Sequence, residues 1–213
     1  MTQPVALLCS PRPEGVSDTL ARLFAEGAAE AGADIRLVPL RDYPVAPCIG
    51  CGACADPPHM CILSRATGTG AQDQAEELFA LLTAAPLVLL ASPIYFYALP
   101  ARFKALIDRG QRFWAARAHT RKACAALPQP PIKPVLVGLV AGRPRGNQLF
   151  SGSLLTLKYF LAPLDAGICE TRLLRGLEKP ADIYRRPAVR NDLIAWGRDW
   201  GRRLAAQPVD ANP

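Results

Sequence analysis

The chain has 213 residues, half of them hydrophobic and a fifth charged, which is enough for one well-buried α/β domain and short for two. No charged-then-apolar leader and no uninterrupted apolar stretch of about 20 residues is present, so the expectation is a soluble, cytoplasmic protein with no membrane partner. A formal net charge of +7 favours an anionic partner, but no aromatic and basic interleaving accompanies it, and nucleic acid is not expected.

The apolar run Val5 to Cys9 reads as a buried strand, followed by a loop from Ser10 to Ser17 rich in turn residues. Ser17 is placed to cap a helix, Asp18 complements its dipole, and Leu20, Leu23, Phe24 and Ala28 recur at helical spacing until Gly32. Ile35 to Leu40 is a second strand. Beyond a cysteine-bearing loop at 47–62, Gln72 to Thr83 is helical, Leu87 to Ala91 a short buried strand, and Ala101 to Phe113 a helix entered through Pro100. A basic, proline-rich connection at 117–133 leads to a fourth strand, Val135 to Val140. A helix at Gly152 to Phe160, a fifth strand at Ile168 to Leu174 and a closing helix at Pro187 to Ala206 complete the order.

Strands that are apolar throughout and alternate with helices predict a doubly wound parallel α/β sheet with helices on both faces. With five strands the expected order is 2-1-3-4-5, as in flavodoxin-like folds. One domain at 1–207 is expected, with a frayed tail at 208–213. The tail's Arg185, Arg186, Arg190, Arg198, Arg202 and Arg203 sit among Asp192, Asp199 and apolar residues, as on the solvated face of an amphipathic helix.

Four of the seven cysteines fall in fourteen residues, Cys48, Cys51, Cys54 and Cys61, with Gly50 and Gly52 between them. Thiolates at this spacing can converge on one centre while the glycines let the backbone curl, and four of them suit a [4Fe-4S] cluster or a tetrahedral zinc. Zinc sites usually pair their ligands as two separated C-x2-C knuckles, whereas three cysteines in successive steps of three are typical of a cubane. His59, inside this loop, reads as a solvent-exposed side chain or a hydrogen-bond donor to a cluster sulfur, and His119 as a surface residue. Cys9 and Cys169 read as buried small hydrophobes, and Cys124 as a loop thiol.

In a doubly wound sheet, ligands bind beyond the carboxyl ends of the strands, where strand order reverses. The first loop offers hydroxyls at Ser10, Ser17 and Thr19, the Arg12 guanidinium and the N–H groups of a helix start, a set suited to a terminal phosphate. It carries neither G-x-G-x-x-G nor a P-loop. Pro93, Ile94, Tyr95 and Phe96, after the third strand, place aromatic and backbone groups where a flat ring system can lie. Ala141 to Gly146, including Gly142, is a third loop able to close over the ring, with Arg143 or Arg145 near a phosphate. Asp108 and Arg109 read as a local ion pair or a subunit contact.

Taken together, Ser10-Pro-Arg12 with Ser17-Asp-Thr19, Pro47 to Cys54, and Ser92 to Phe96 followed by Phe103 to Arg109 resemble the NADPH-dependent FMN reductase family. The compact four-cysteine loop resembles that of its iron-sulfur flavoproteins. The resemblance covers roughly residues 5 to 142. It implies an FMN-dependent oxidoreductase with FMN held by Ser10, Arg12, Ser17 and Thr19 at its phosphate and by Pro93, Ile94, Tyr95 and Phe96 at its ring. A [4Fe-4S] cluster on Cys48, Cys51, Cys54 and Cys61, and a homodimer or dimer of dimers, are implied in the same way. FMN takes electrons in pairs and a cubane moves them singly, so the two form an electron converter and no catalytic side chain is demanded. NAD(P)H and a ferredoxin-like protein are both candidate donors. Val16 stands where relatives often carry a polar residue, and Tyr97-Ala98 replaces a turn that commonly contains glycine. Two other readings stay open: an NAD(P)H-dependent FMN or quinone reductase without a cluster, and a non-enzymatic module stapled by zinc.

Overall fold

A computed structural model describes residues 2–64, 73–123 and 132–206. Its sheet consists of β1 (Val5–Leu8), β2 (Arg36–Pro39), β3 (Val88–Pro93), β4 (Lys133–Ala141) and β5 (Ala166–Arg175). All pairings are parallel and the order is β2-β1-β3-β4-β5, as the alternation of apolar strands and helices predicts. Around it lie α1 (Val16–Glu30), α2 (Ala75–Ala84), α3 (Ala101–Arg109), α4 (Gln111–Ala123), α5 (Ser151–Leu161), α6 (Pro180–Tyr184) and α7 (Pro187–Ala205).

Successive side chains of a strand point to opposite faces, so one strand feeds two cores. Val5, Leu7 and Cys9 pack with Leu78, Phe79, Phe103, Leu106 and Leu157 on the side of α2, α3 and α5. Ala6 and Leu8 pack with Leu20, Phe24, Leu193 and Trp196 on the side of α1 and α7. This double burial is why the strands carry no polar alternation.

On the second face α1 and α7 touch backbone to backbone. A Cβ at Gly27 would stand 1.9 Å from the Ile194 carbonyl oxygen, and one at Gly197 1.9 Å from that of Phe24. Only hydrogen fits there. Arg190 and Arg198 of α7 pair with Glu26 and Glu30 of α1, while Arg202 pairs with Asp199 and Arg203 with Glu170. These arginines therefore neutralise neighbouring acids on a solvated helix face.

Several local boundaries differ from the sequence reading. The cap of α1 is Gly15, in extended conformation, and Ser17 is a buried first-turn residue. No side chain caps the helix; Asp18 Oδ2 instead accepts the N–H of Glu14, one residue before the cap, at 3.1 Å and steadies the loop entering it. The helix expected from Ala101 to Phe113 is two helices broken at Gly110, whose N–H turns back to the Ile107 carbonyl while the Phe160 ring packs against its α-carbon side. Both halves keep apolar spacing, so periodicity alone does not register the break. The connection at 117–133 is helical as far as Ala123, and its continuation, with Cys124, lies outside the described residues. Gln72 and the tail from 207 onward lie outside them as well, and α2 begins at Ala75. Finally, Cys169 is exposed rather than buried: β4 and β5 change register there, with Val135 opposite Ile168 and Leu136 opposite Glu170, so Cys169 is the bulged residue of an edge strand.

Gly197→Ala is expected to destabilise the fold by about 1–3 kcal/mol or more, because the backbone of α1 must retreat from the new methyl group. A thermal or urea unfolding midpoint equal to wild type would show that the helices are not in contact as described.

Candidate cofactor cleft and cysteine loop

Parallel pairing brings the carboxyl ends of β1, β3 and β4 side by side, and their loops enclose a cleft of about 350 Å³. Ser10, Arg12, Gly15 and Ser17 line it from the first loop, Pro93, Ile94 and Tyr95 from the second, Gly142 from the third. Seven of the nine expected cofactor contacts are thus gathered into one site. The other two are not. Thr19 is buried with its hydroxyl donated to the Gly15 carbonyl oxygen at 3.1 Å, and Phe96 is fully exposed outside the lining.

Within the first loop, Ser10 Oγ donates to the Arg12 carbonyl oxygen at 2.9 Å and accepts the Arg12 N–H at 3.1 Å. Its hydroxyl therefore shapes the loop. Arg12 and Ser17 line the cleft beside the first N–H groups of α1, which have no intrahelical acceptor. Beneath them Asp18 is buried and pairs with Arg41 at 3.0 Å, its Oδ1 having no hydrogen-bond partner. Burial pushes the Asp18 carboxyl up, against the opposing pull of Arg41 and the Glu14 N–H.

The second loop is a tight turn closed by an antiparallel bridge between Tyr95 and Ala98, with Phe96 and Tyr97 both at positive φ, 48° and 63°. Bulky residues rarely adopt this conformation, which costs roughly 1–3 kcal/mol per residue and concentrates at functional sites. Beside it the Arg143 guanidinium lies 5.7 Å from the Tyr97 ring centroid. The sequence reading missed Leu177, Glu178 and Lys179, which line the cleft from the segment after β5. Nothing in the sequence marks them; in the structure Gly142 faces them, a Cβ there standing 2.9 Å from Glu178 Cγ.

Cys48 and Cys51 are exposed, and Cys54 and Cys61 partly buried; all four are free thiols. Gly50 and Gly52 have φ of 65° and 73°, the left-handed conformation that lets the loop curl, and the Gly50 N–H points to Cys48 Sγ at 3.5 Å. Burial raises the Cys54 thiol, against the opposing pull of a backbone hydrogen bond. Among the described residues, no three Cys, His, Asp or Glu side chains already stand as a metal-binding group. His59 is half-buried, its Nδ1 3.1 Å from the Cys54 carbonyl oxygen and its ring 5.5 Å from that of His119. The two histidines of the chain therefore brace the loop against α4.

The expected pair of Asp108 with Arg109 does not form. Asp108 bonds Lys104 one turn back at 2.6 Å, and Arg109, 2% exposed, grips Asp73 through two hydrogen bonds of 2.8 and 3.0 Å. Its Nη1 also reaches the Ala46 carbonyl oxygen at 3.1 Å and its Nη2 the Ser64 hydroxyl at 2.7 Å. One guanidinium thus ties together the residues on either side of the cysteines.

The family model for NADPH-dependent FMN reductase matches residues 3–130, more than half of the sequence. The chain belongs to the NADPH-dependent FMN reductase family. Two curated relatives are similar at 32% identity, the iron-sulfur flavoproteins of Methanocaldococcus jannaschii and Methanosarcina thermophila. Each match spans about half of this chain, 48% and 47%, and 48% of the relative. Among solved structures, an NAD(P)H:quinone oxidoreductase from Methanothermobacter marburgensis has a TM-score of 0.61 at 17% identity, covering 97% of each chain. A flavone reductase has a TM-score of 0.66 at 12% identity over 96% of this chain and 63% of that one. At such identities the likeness shows the fold alone.

For this FMN reductase family member, the cleft residues fit the flavin the family name specifies. Arg12, Ser17 and the start of α1 suit a phosphate, while Pro93, Ile94, Tyr95, Val140 and Leu177 suit a flat ring. For a cluster the donor chemistry fits: four free thiols on one glycine-curled loop, two exposed and two partly buried, are the soft ligands such a centre takes once deprotonated.

Asp73 supplies a pH test. Burial alone would raise its carboxyl, but the Arg109 hydrogen bonds and the Ala46 and Ala75 N–H groups hold it below its ordinary value. A depressed carboxylate contributes stability that is fully present above its unfolded pKa and is lost as pH falls through its folded one. Stability is therefore expected to drop below about pH 4, and Asp73→Asn to lower it at neutral pH and flatten the acid-side drop. Urea midpoints measured against pH check this; parallel curves for the two proteins would remove the assignment.

Proposed function

We propose that this protein is an FMN-dependent oxidoreductase that exchanges electrons between FMN in the cleft and a [4Fe-4S] cluster on Cys48, Cys51, Cys54 and Cys61. The observation that carries the reading is positional. The four-thiol loop follows β2, and the phosphate and ring loops follow β1 and β3, so all leave the same carboxyl edge of one parallel sheet. Bound together, the two groups supply conversion between paired and single electrons. The chain's own part is positioning: Arg12 and Ser17 meet the phosphate, and the Tyr95 turn and Gly142 border the ring. The donor in this reading is NAD(P)H or a ferredoxin-like protein, and the assembled form a homodimer or dimer of dimers. A second reading, reductase without a cluster, is favoured by the exposed Cys48 and Cys51 and by the lack, among the described residues, of a preformed metal-binding group.

The visible spectrum of anaerobically purified protein separates these. Flavin bands on a broad iron-sulfur absorbance are expected; flavin bands alone select the second reading, and a colourless zinc protein overturns both. Cys51→Ala is expected to remove the broad absorbance and leave FMN bound, and joint loss of both chromophores would contradict two separable sites. Arg12→Ala is expected to weaken FMN about tenfold or more, the worth of one charge-assisted hydrogen bond, and to leave riboflavin binding nearly unchanged. Fluorescence titration with each flavin decides it, equal losses for both placing Arg12 away from the phosphate.

A further inference from the structure

Arg109 is the most completely buried cation among the described residues, with its side chain 1% exposed. Burial of a charge is costly unless every donor is matched, and four of its contacts do this through Asp73, Ala46 and Ser64. The fifth donor is not matched: Nε is buried without a partner in the protein. Ala46 lies two residues before Cys48 and Ser64 three after Cys61, so this guanidinium holds both ends of the cysteine run at once. The anchorage continues outward. Ser64 Oγ also donates to Glu76 of α2 at 3.0 Å, and Glu76 pairs with Arg112 of α4, whose guanidinium stacks 4.0 Å from the Phe113 ring centroid.

We infer that Arg109 is a positioning residue for the cluster loop: it fixes the loop's two ends to the end of α3 and keeps a buried guanidinium, paired with Asp73, at the base of the loop. The inference rests on the iron-sulfur reading above. Residues of this kind, which orient metal ligands without being ligands, govern how well a metal is retained and at what potential it changes oxidation state. A cation at the base of a thiolate loop favours the more negative, reduced centre. Loss of the charge therefore lowers the midpoint potential, whereas loss of the fork geometry alone loosens the loop.

Arg109→Gln and Arg109→Lys, made in the full chain, separate charge from geometry, with FMN occupancy as the check on folding. After anaerobic reconstitution with ferrous iron and sulfide, Arg109→Gln is expected to retain iron about tenfold less tightly, and its residual cluster to have a lower potential. Arg109→Lys is expected to keep a potential near wild type and still retain iron poorly, since one ammonium cannot bridge Asp73, Ala46 and Ser64 together. In metal-free protein, amide hydrogen exchange across 46–64 is expected to speed up by at least about tenfold in Arg109→Gln. Wild-type exchange and iron retention in that variant, or an unchanged potential, overturn the inference. Failure of the wild-type protein to take up iron would instead overturn the cluster reading, and exchange in metal-free protein then decides the role of Arg109 alone. If Arg109→Gln does not bind FMN, Ser64→Ala removes a single anchor, and unchanged exchange in it counts against the inference.

Discussion

Parallel pairing of five strands is the constraint from which the rest follows. A parallel sheet needs a crossover between successive strands, and here each contains a helix, so both faces are covered and every carboxyl end emerges on one edge. Order β2-β1-β3-β4-β5 places the reversal between β1 and β3, where crossovers depart to opposite faces and leave a crevice. The first loop enters this crevice as the start of α1, bringing unpaired N–H groups and the Arg12 cation. The second enters it as a strained aromatic turn. Their chemistry differs, but their meeting is a consequence of strand order.

The cysteine loop solves a different physical problem. Four thiols in a short exposed segment bury little apolar surface of their own, and Ile49, Met60 and Ile62 remain exposed around them. Such a loop has to be ordered by what it is attached to. The structure supplies two braces: the Arg109 guanidinium beneath its ends, and the His59 and His119 contact against α4. The burial of Arg109 is tolerable because Asp73 meets it with both carboxylate oxygens while accepting two backbone N–H groups itself. The ion pair is therefore less a source of net stability than a device that fixes one geometry.

Much of the fold was legible along the chain because local rules and global topology agree. Unbroken apolar runs announced parallel strands, and the order of the β and α segments announced the sheet. Most of the cleft was legible too, since Ser10, Arg12, Ser17, Pro93, Ile94, Tyr95 and Gly142 come from loops adjacent to strands. What misled was identity without geometry. Ser17 looks like a cap, yet Gly15 takes that place and Asp18 reaches back to Glu14. Lys179 and Glu178 carried no motif at all.

The amino-acid sequence by itself determined the α/β order, the two-sided burial of the strands, and the presence of four thiols on a glycine-curled loop. Those properties depend on composition and on spacing within a few residues. Only the tertiary structure decided that Arg109 bonds Asp73 rather than its neighbour Asp108, that Glu178 and Lys179 join the cleft, and that Gly27 and Gly197 face carbonyl groups of another helix. Each of these joins residues far apart in the chain. Their contact energies depend on packing between whole elements, which no local pattern encodes.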